Sequence, residues 1–330
     1  MEYGFGGHLL IPGLWEFATT MRRDVFTEGI RHLPLSGRHL TAVLCCAVAA
    51  FVTSCGSDSD AASPPPRSAA TEVAGPAEQD SISVTVPGTL AAEFAELQAG
   101  EEGQLGLAIM PVGGDRMVVL GDWTTGPAWS TMKVPLAIAA SRKSSGASGS
   151  GVSTYSLTAA ITASDNSAAE TLWESLGTPE EAARAVEQVL REGGDQVTTV
   201  PATRSRPGYS AFGQSEWSLA DQVRFASRLP CLPEAGEVVD LMEQIVSNHQ
   251  WGLGSVFSAA QFKGGWGPDA SGSYLVRQFG LVPATGGTIA IALAAKPDSG
   301  TFSDGLAMLN TMTDLVSEHL GELTGGRCPA

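Results

Sequence analysis

The chain has 330 residues, 43% of them apolar, and a net charge of −16, enough apolar material for one large domain or two small ones. Its first 55 residues hold four acids (Glu2, Glu16, Asp24, Glu28) and four bases (Arg22, Arg23, Arg31, Arg38), so the whole negative excess lies downstream. Such a surface repels phosphate backbones and anionic head groups, which argues against nucleic acid as a partner, although the same charge also serves solubility alone.

Residues 1–20 lack signal character, and Met21-Arg22-Arg23 reads as the better start. After the four arginines, Leu40–Val52 forms an unbroken run of 13 apolar or small residues. Roughly 18–20 apolar residues are needed to cross a bilayer, so this run is too short to span one and instead has the length of a signal-peptide core. Val52-Thr53-Ser54-Cys55 closes it and resembles the bacterial lipobox. That resemblance implies that Cys55 is diacylated, becomes the new N-terminus and holds an exported protein to the outer side of the cell membrane. An ordinary secretory signal with an incidental cysteine is the alternative. Residues 1–55 are therefore set apart as a leader. The following segment, 56–80, lacks aromatic residues and is rich in Ser, Ala, Pro and Asp. It cannot bury a core, and a flexible tether of that length spans on the order of 25–30 Å. Beyond Cys55 the mature chain keeps only Cys231 and Cys328, which in an exported domain read most simply as one disulfide. Two free buried thiols are the alternative.

The folded domain is expected over 81–330. Leu90, Phe94 and Leu97 mark one face of a helix. Two strands follow, Gln104–Met110 and Arg116–Gly121, joined by the turn residues Gly113-Gly114-Asp115. The middle of the chain reads as mainly helical. One helix has Thr178 as N-cap, Pro179 in its first turn and Glu181 closing a capping box. Another begins with Ser218 and Asp221 in the same relation, and a third covers roughly Pro233–Asn248. Strands return at Ala260–Gly264, Gly272–Val282 and Gly287–Ala295, before a last amphipathic helix at roughly Phe302–Leu323. No internal repeat is visible. This order predicts an α+β domain: an antiparallel sheet of about five strands from both chain ends, flanked by terminal helices, with an all-helical lobe inserted.

Three short motifs carry chemistry. Ser130-Thr131-Met132-Lys133 opens the helical stretch, where residues three apart share a face, so the Ser130 hydroxyl and the Lys133 amine can meet. Unpaired N–H groups at a first helical turn favour an oxyanion, and burial can lower a lysine pKa until it serves as a base. Ser164-Asp165-Asn166 begins a later helix, and Lys263-Gly264-Gly265 ends a strand. Together the three resemble the S-x-x-K, S-D-N and K-T-G signatures of the penicillin-binding and class A β-lactamase superfamily, in the same chain order. The resemblance covers about Leu90–His319.

It implies that Ser130 attacks a carbonyl while Lys133 accepts its proton, and that Ser164, assisted by Lys263, relays a proton to the leaving group. Asn166 would hold a substrate amide. Gly265 and Trp266 would line the substrate strand, with the N–H groups of Ser130 and Trp266 as the oxyanion hole. Arg277 would bind a substrate carboxylate, the other reading being a solvated strand arginine. There are departures too. Gly264 replaces a hydroxyl residue that in the family helps bind the substrate carboxylate. Only 30 residues separate Lys133 from Ser164, including the loop Ser144–Gly151, so the helical lobe is reduced. The loop before Ser218 lacks the Glu-x-x-x-Asn pattern that positions the deacylating water in class A enzymes. Glu216, its one acid, fits better as a residue beside the next helix start.

Other schemes fit less well. After leader removal only His249 and His319 remain for a Ser-His-Asp triad, and neither they nor the acids around them form a zinc site. No cofactor or metal is implied. The expectation is a monomeric, lipid-anchored serine hydrolase acting on a small-molecule or peptide amide or ester of the cell envelope, with weak or no β-lactam hydrolysis. A catalytically inactive binding module on the same fold is the rival.

Overall fold

The computed structural model describes residues 89–146 and 153–329. The leader, Cys55, the tether and most of the Ser144–Gly151 loop lie outside the described residues.

The chain runs through α1 (Leu90–Gly100), β1 (Gly103–Pro111), β2 (Val118–Gly121) and β3 (Thr125–Pro127) into a 3₁₀ turn at Trp129–Met132. The helical lobe follows as α2 (Lys133–Gly146), α3 (Thr154–Thr162), α4 (Asn166–Ser175) and α5 (Pro179–Glu192). After a long loop come β4 (Glu216–Ser218), α6 (Leu219–Arg228), α7 (Gly236–Met242) and α8 (Leu253–Val256). The chain closes with β5 (Gln261–Pro268), β6 (Tyr274–Ala284), β7 (Gly287–Pro297) and α9 (Phe302–Glu318).

The main sheet has five strands in the order β2-β1-β7-β6-β5, every neighbouring pair antiparallel. Strands from both chain ends therefore build it, as the order of elements predicts. Both its faces are covered, and strand alternation sorts side chains between two cores. On β7, Ile289, Ile291 and Leu293 pack with α1 and α9, whereas Ala290, Ala292 and Ala294 face the helical side. Small residues there let α6 lie close to the sheet. Helix α2 is buried nearly all round, with Val134, Leu136, Ala137 and Ile138 fully covered, as befits the central helix of a lobe. A ribbon of β3 paired with β4 joins the two parts, a feature with no sequence signal because each strand has only three residues.

Helix starts follow local chemistry. Thr178 and Glu181 form the reciprocal capping box, and the Ser218 hydroxyl accepts from the Asp221 N–H. Helix ends follow tertiary contacts. The helix expected at Pro233–Asn248 is only α7, because the Val246 N–H is drawn to the Thr162 carbonyl (3.1 Å) at the end of α3. Likewise α9 stops at Glu318 rather than continuing to Leu323. There the buried His319 ring bonds Glu322 (2.9 Å) and Glu93 of α1 (3.0 Å), tying the two terminal helices together.

Cys231 and Cys328 form a disulfide with Cα atoms 5.4 Å apart, fastening the turn after α6 to the C-terminal tail across 97 residues of chain. Closing so long a loop restricts the unfolded chain strongly, so Cys328→Ser is expected to cost about 2–4 kcal/mol. A fall in the urea unfolding midpoint, with a steeper slope because the unlinked unfolded chain exposes more surface, checks this.

Candidate active site

The three motifs converge at the junction of the sheet and the helical lobe. Ser130 sits in the 3₁₀ turn, just after Trp129, whose φ of +49° is unusual for a bulky residue. Such a conformation costs on the order of 1–3 kcal/mol and persists only where packing enforces it. Here the Trp129 ring lies 5.3 Å from Tyr209 and against Gly267, where any Cβ would approach the indole to 2.7 Å. Gly265 serves the same end. A Cβ at that position would stand 2.9 Å from the Ala128 carbonyl and from the N–H groups of Ser130 and Thr131. Glycine alone lets the edge of β5 lie against the turn that carries Ser130.

Lys133 begins α2 and is buried. Its Nζ donates to the Ser164 carbonyl, to Ser164 Oγ (3.3 Å) and to Asn166 Oδ1 (2.8 Å). Lys263, on β5 and also buried, donates to Ser164 Oγ (2.9 Å) and to the Gly264 carbonyl (2.8 Å). Ser164 Oγ thus stands between two amines that are 130 positions apart in sequence (263 − 133). Ser164 itself is held at φ +55°, ahead of Asp165, whose carboxylate caps α4 through the Ala168 N–H (2.7 Å). Burial lowers the Lys133 pKa to about 7 against the opposing pull of the Asp165 and Glu170 carboxylates. Burial, and then the charge of Lys133, push Lys263 well below the ordinary lysine value.

Ser130 and Lys133 are not hydrogen-bonded to each other, contrary to the simple expectation from their spacing. Among the described residues the Ser130 hydroxyl has no side-chain partner and opens onto a cleft of about 450 Å³. Asn166, Trp266 and Tyr274 line the same cleft. The Gly264 carbonyl accepts from Lys263 at the free edge of β5, so the N–H of Trp266, two residues on, also faces that edge. The Trp266 ring packs behind the strand with Trp251 (5.9 Å) and Phe302 (5.6 Å). Trp251 also accounts for Gly264. A Cβ there would come within 2.5 Å of the indole, so the hydroxyl residue of the family's third signature has no room.

Arg277 corrects the sequence reading. It is wholly buried, on the face of β6 turned toward the helical side, and does not reach the cleft. Its guanidinium donates to the carbonyls of Gly126 (2.9 Å), Pro127 (3.1 Å) and Trp217 (3.1 Å) and to Gln222 Oε1 (2.9 Å). Gln222 in turn donates to Thr131 Oγ1 (3.0 Å), beside Ser130. Arg277 therefore pins the β3–β4 ribbon and the turn that carries Ser130 to the sheet, as neither a substrate ligand nor a solvated side chain. Glu216 lies exposed on β4 opposite Pro127, outside the cleft. His249 stacks edge-on against Trp266 (5.0 Å), and its pKa is lowered by burial and by the two lysines.

Reading the sequence missed the other cleft wall. Glu170 lies one helical turn beyond Asn166 on α4, and that spacing could have flagged it. The long loop before β4 supplies Arg204, paired with Glu170 (3.0 Å), and Tyr209. Arg206 in the same loop stacks on Tyr209 (4.5 Å) and donates to the Pro268 carbonyl (2.7 Å). No periodic pattern marks these residues. Among the described residues there is no group of three potential metal ligands, and no helix is long and apolar enough to cross a membrane.

This architecture is the β-lactamase-like fold, an antiparallel sheet with terminal helices on one face and a helical lobe on the other. The TLA-3 extended-spectrum β-lactamase superimposes with a TM-score of 0.58 at 13% identity, covering 71% of this chain and 98% of that enzyme. A β-lactamase from Xanthomonas campestris pv. campestris gives 0.56 at 17% identity (70% and 97% covered). The ancestral Gram-negative class A β-lactamase gives 0.54 at 21% (69% and 99%). No protein-family model and no curated protein sequence matches the chain.

Proposed function

We propose that this protein is a membrane-anchored, extracytoplasmic serine hydrolase that forms an acyl-enzyme on Ser130 and acts on an amide or ester of the cell envelope. The observation that carries this reading is the bridge of Ser164 Oγ to both Lys133 and Lys263, with Ser130 open to the same cleft. An amine with a pKa of about 7 is partly neutral at neutral pH and can take a proton from a hydroxyl as it attacks. Ser164 then offers a route by which that proton reaches the leaving group, and the Ser130 and Trp266 N–H groups would receive the oxyanion. Asn166 would orient the substrate amide. The lipobox-like Val52–Cys55 supports the membrane anchor, and the tether supports display outside the cell. Weak β-lactam hydrolysis follows from the loss of the hydroxyl at Gly264 and from the absence of Arg277 from the cleft.

A second reading, an inactive binding module, is favoured by the missing hydrogen bond between Ser130 and Lys133. Such bonds are often long in unliganded sites and tighten only with substrate. Incubation with a fluorophosphonate, followed by peptide mass spectrometry, separates the two. We expect a single adduct on Ser130 that Ser130→Ala abolishes. Folded protein left unlabelled after prolonged exposure would refute the hydrolase.

A further inference from the structure

We propose that Glu170, on the helix that carries Asn166, is the general base that activates the water releasing the acyl group from Ser130. This rests on the acyl-enzyme reading above. Hydrolysis of an ester-linked acyl group needs a carboxylate or similar base close to the serine, and the stretch from Val200 to Ser218 places none there. Its one acid, Glu216, points elsewhere. Among the described residues that line the cleft, Glu170 is the single carboxylate.

Its setting suits the task. Glu170 follows Asn166 by one helical turn, which puts their Cβ atoms about 6 Å apart on one face. Asn166 Oδ1 accepts from Lys133 Nζ at 2.8 Å, so the carboxylate lies one turn along the cleft wall from the amine. Arg204 holds Oε2 at 3.0 Å, while Oε1 has no hydrogen-bond partner among the described residues. The side chain remains 28% exposed, so water can reach it. A partner that fixes one oxygen and leaves the other free is what a positioned base requires. The nearby acids Asp165 and Asp269 are already committed, the first to capping α4 and the second to Ser271, Ser273 and Lys296.

The step balances as follows. Water attacks the acyl carbonyl carbon and gives a proton to Glu170 Oε1. The tetrahedral intermediate collapses, the bond between that carbon and Ser130 Oγ breaks, and the proton passes from Glu170 to Oγ. One water is consumed, one carboxylic acid is released, and the free serine is restored.

Glu170→Gln keeps shape and hydrogen bonding but removes the base. With p-nitrophenyl acetate, we expect an initial burst of one p-nitrophenolate per protein, no slower than wild type because loss of the Glu170 charge leaves more of Lys133 neutral. Steady-state turnover should then fall about 100-fold, with acetyl-Ser130 accumulating in the intact mass spectrum. The burst itself shows that the variant is folded. In Glu170→Ala, added formate should restore turnover, which a purely structural role would not allow. Turnover of Glu170→Gln within about twofold of wild type, with no acetyl accumulation, would overturn the role of Glu170 alone. Failure of the wild-type protein to acetylate Ser130 would overturn both this assignment and the hydrolase reading beneath it.

Discussion

Replacing Lys133 by Met will slow acylation of Ser130 by roughly 10²–10⁴-fold, the usual contribution of a positioned base, at a cost in stability of about 1–3 kcal/mol because the Ser164 carbonyl and Asn166 Oδ1 lose their donor. The amine is buried at the head of α2, and an apolar chain of similar length fills the same space without the cost of desolvating a charge. The same residue sets the pH dependence. Only the neutral amine can accept the serine proton, and burial places its pKa at about 7 rather than near 10.5. The burst rate of p-nitrophenolate release should therefore rise with pH through about 7 and level off above it. A lysine with an ordinary pKa would keep the rate climbing toward pH 10. A burst rate independent of pH across that range would exclude Lys133 as the base.

Arg277→Met will lower stability by on the order of 3–5 kcal/mol, because the buried carbonyls of Gly126 and Trp217, the half-buried carbonyl of Pro127 and the Gln222 side chain lose their donor at once. Those carbonyls belong to β3 and β4, which flank the turn that carries Ser130, so fluorophosphonate labelling of Ser130 should slow as well. The double variant Arg277→Met/Gln222→Leu should recover part of the loss, since removing both partners leaves fewer unpaired groups than removing one. Urea unfolding of the three proteins measures this. A loss below about 1 kcal/mol, with weakened affinity confined to carboxylate-bearing substrates, would return Arg277 to a cleft role.

Much of the local structure was legible from neighbouring residues. The capping box of Thr178 and Glu181 and the N-cap at Ser218 depend on contacts within four positions, so chain chemistry suffices to place those helix starts. Apolar runs bounded by turn residues likewise marked β5, β6 and β7, although β5 runs on to Pro268 beyond its expected end at Gly264, and their position after the helical stretch predicted a sheet drawn from both chain ends. The ribbon of β3 and β4 left no such trace, because three residues carry no period. The end of α7 was equally hidden, since it depends on a carbonyl at Thr162 that lies far away in sequence.

The site divides along the same line. Sequence alone singled out the candidates for the chemistry, Ser130, Lys133, Ser164, Asn166 and Lys263, because each lies in a motif of three or four adjacent letters. Packing decided what those residues face. Ser164 meets Lys133 across 31 positions and Lys263 across 99, which only chain folding can arrange. Strand alternation says that Arg277 lies on one face of β6, but not that this face is roofed by Trp217 and Gln222 and so closed to substrate. Nor does it say that Trp251 fills the space beside Gly264, or that Glu170 and Arg204 share a cleft wall. A side chain's type is a property of the chain, whereas its burial and its partners belong to the surfaces that close around it.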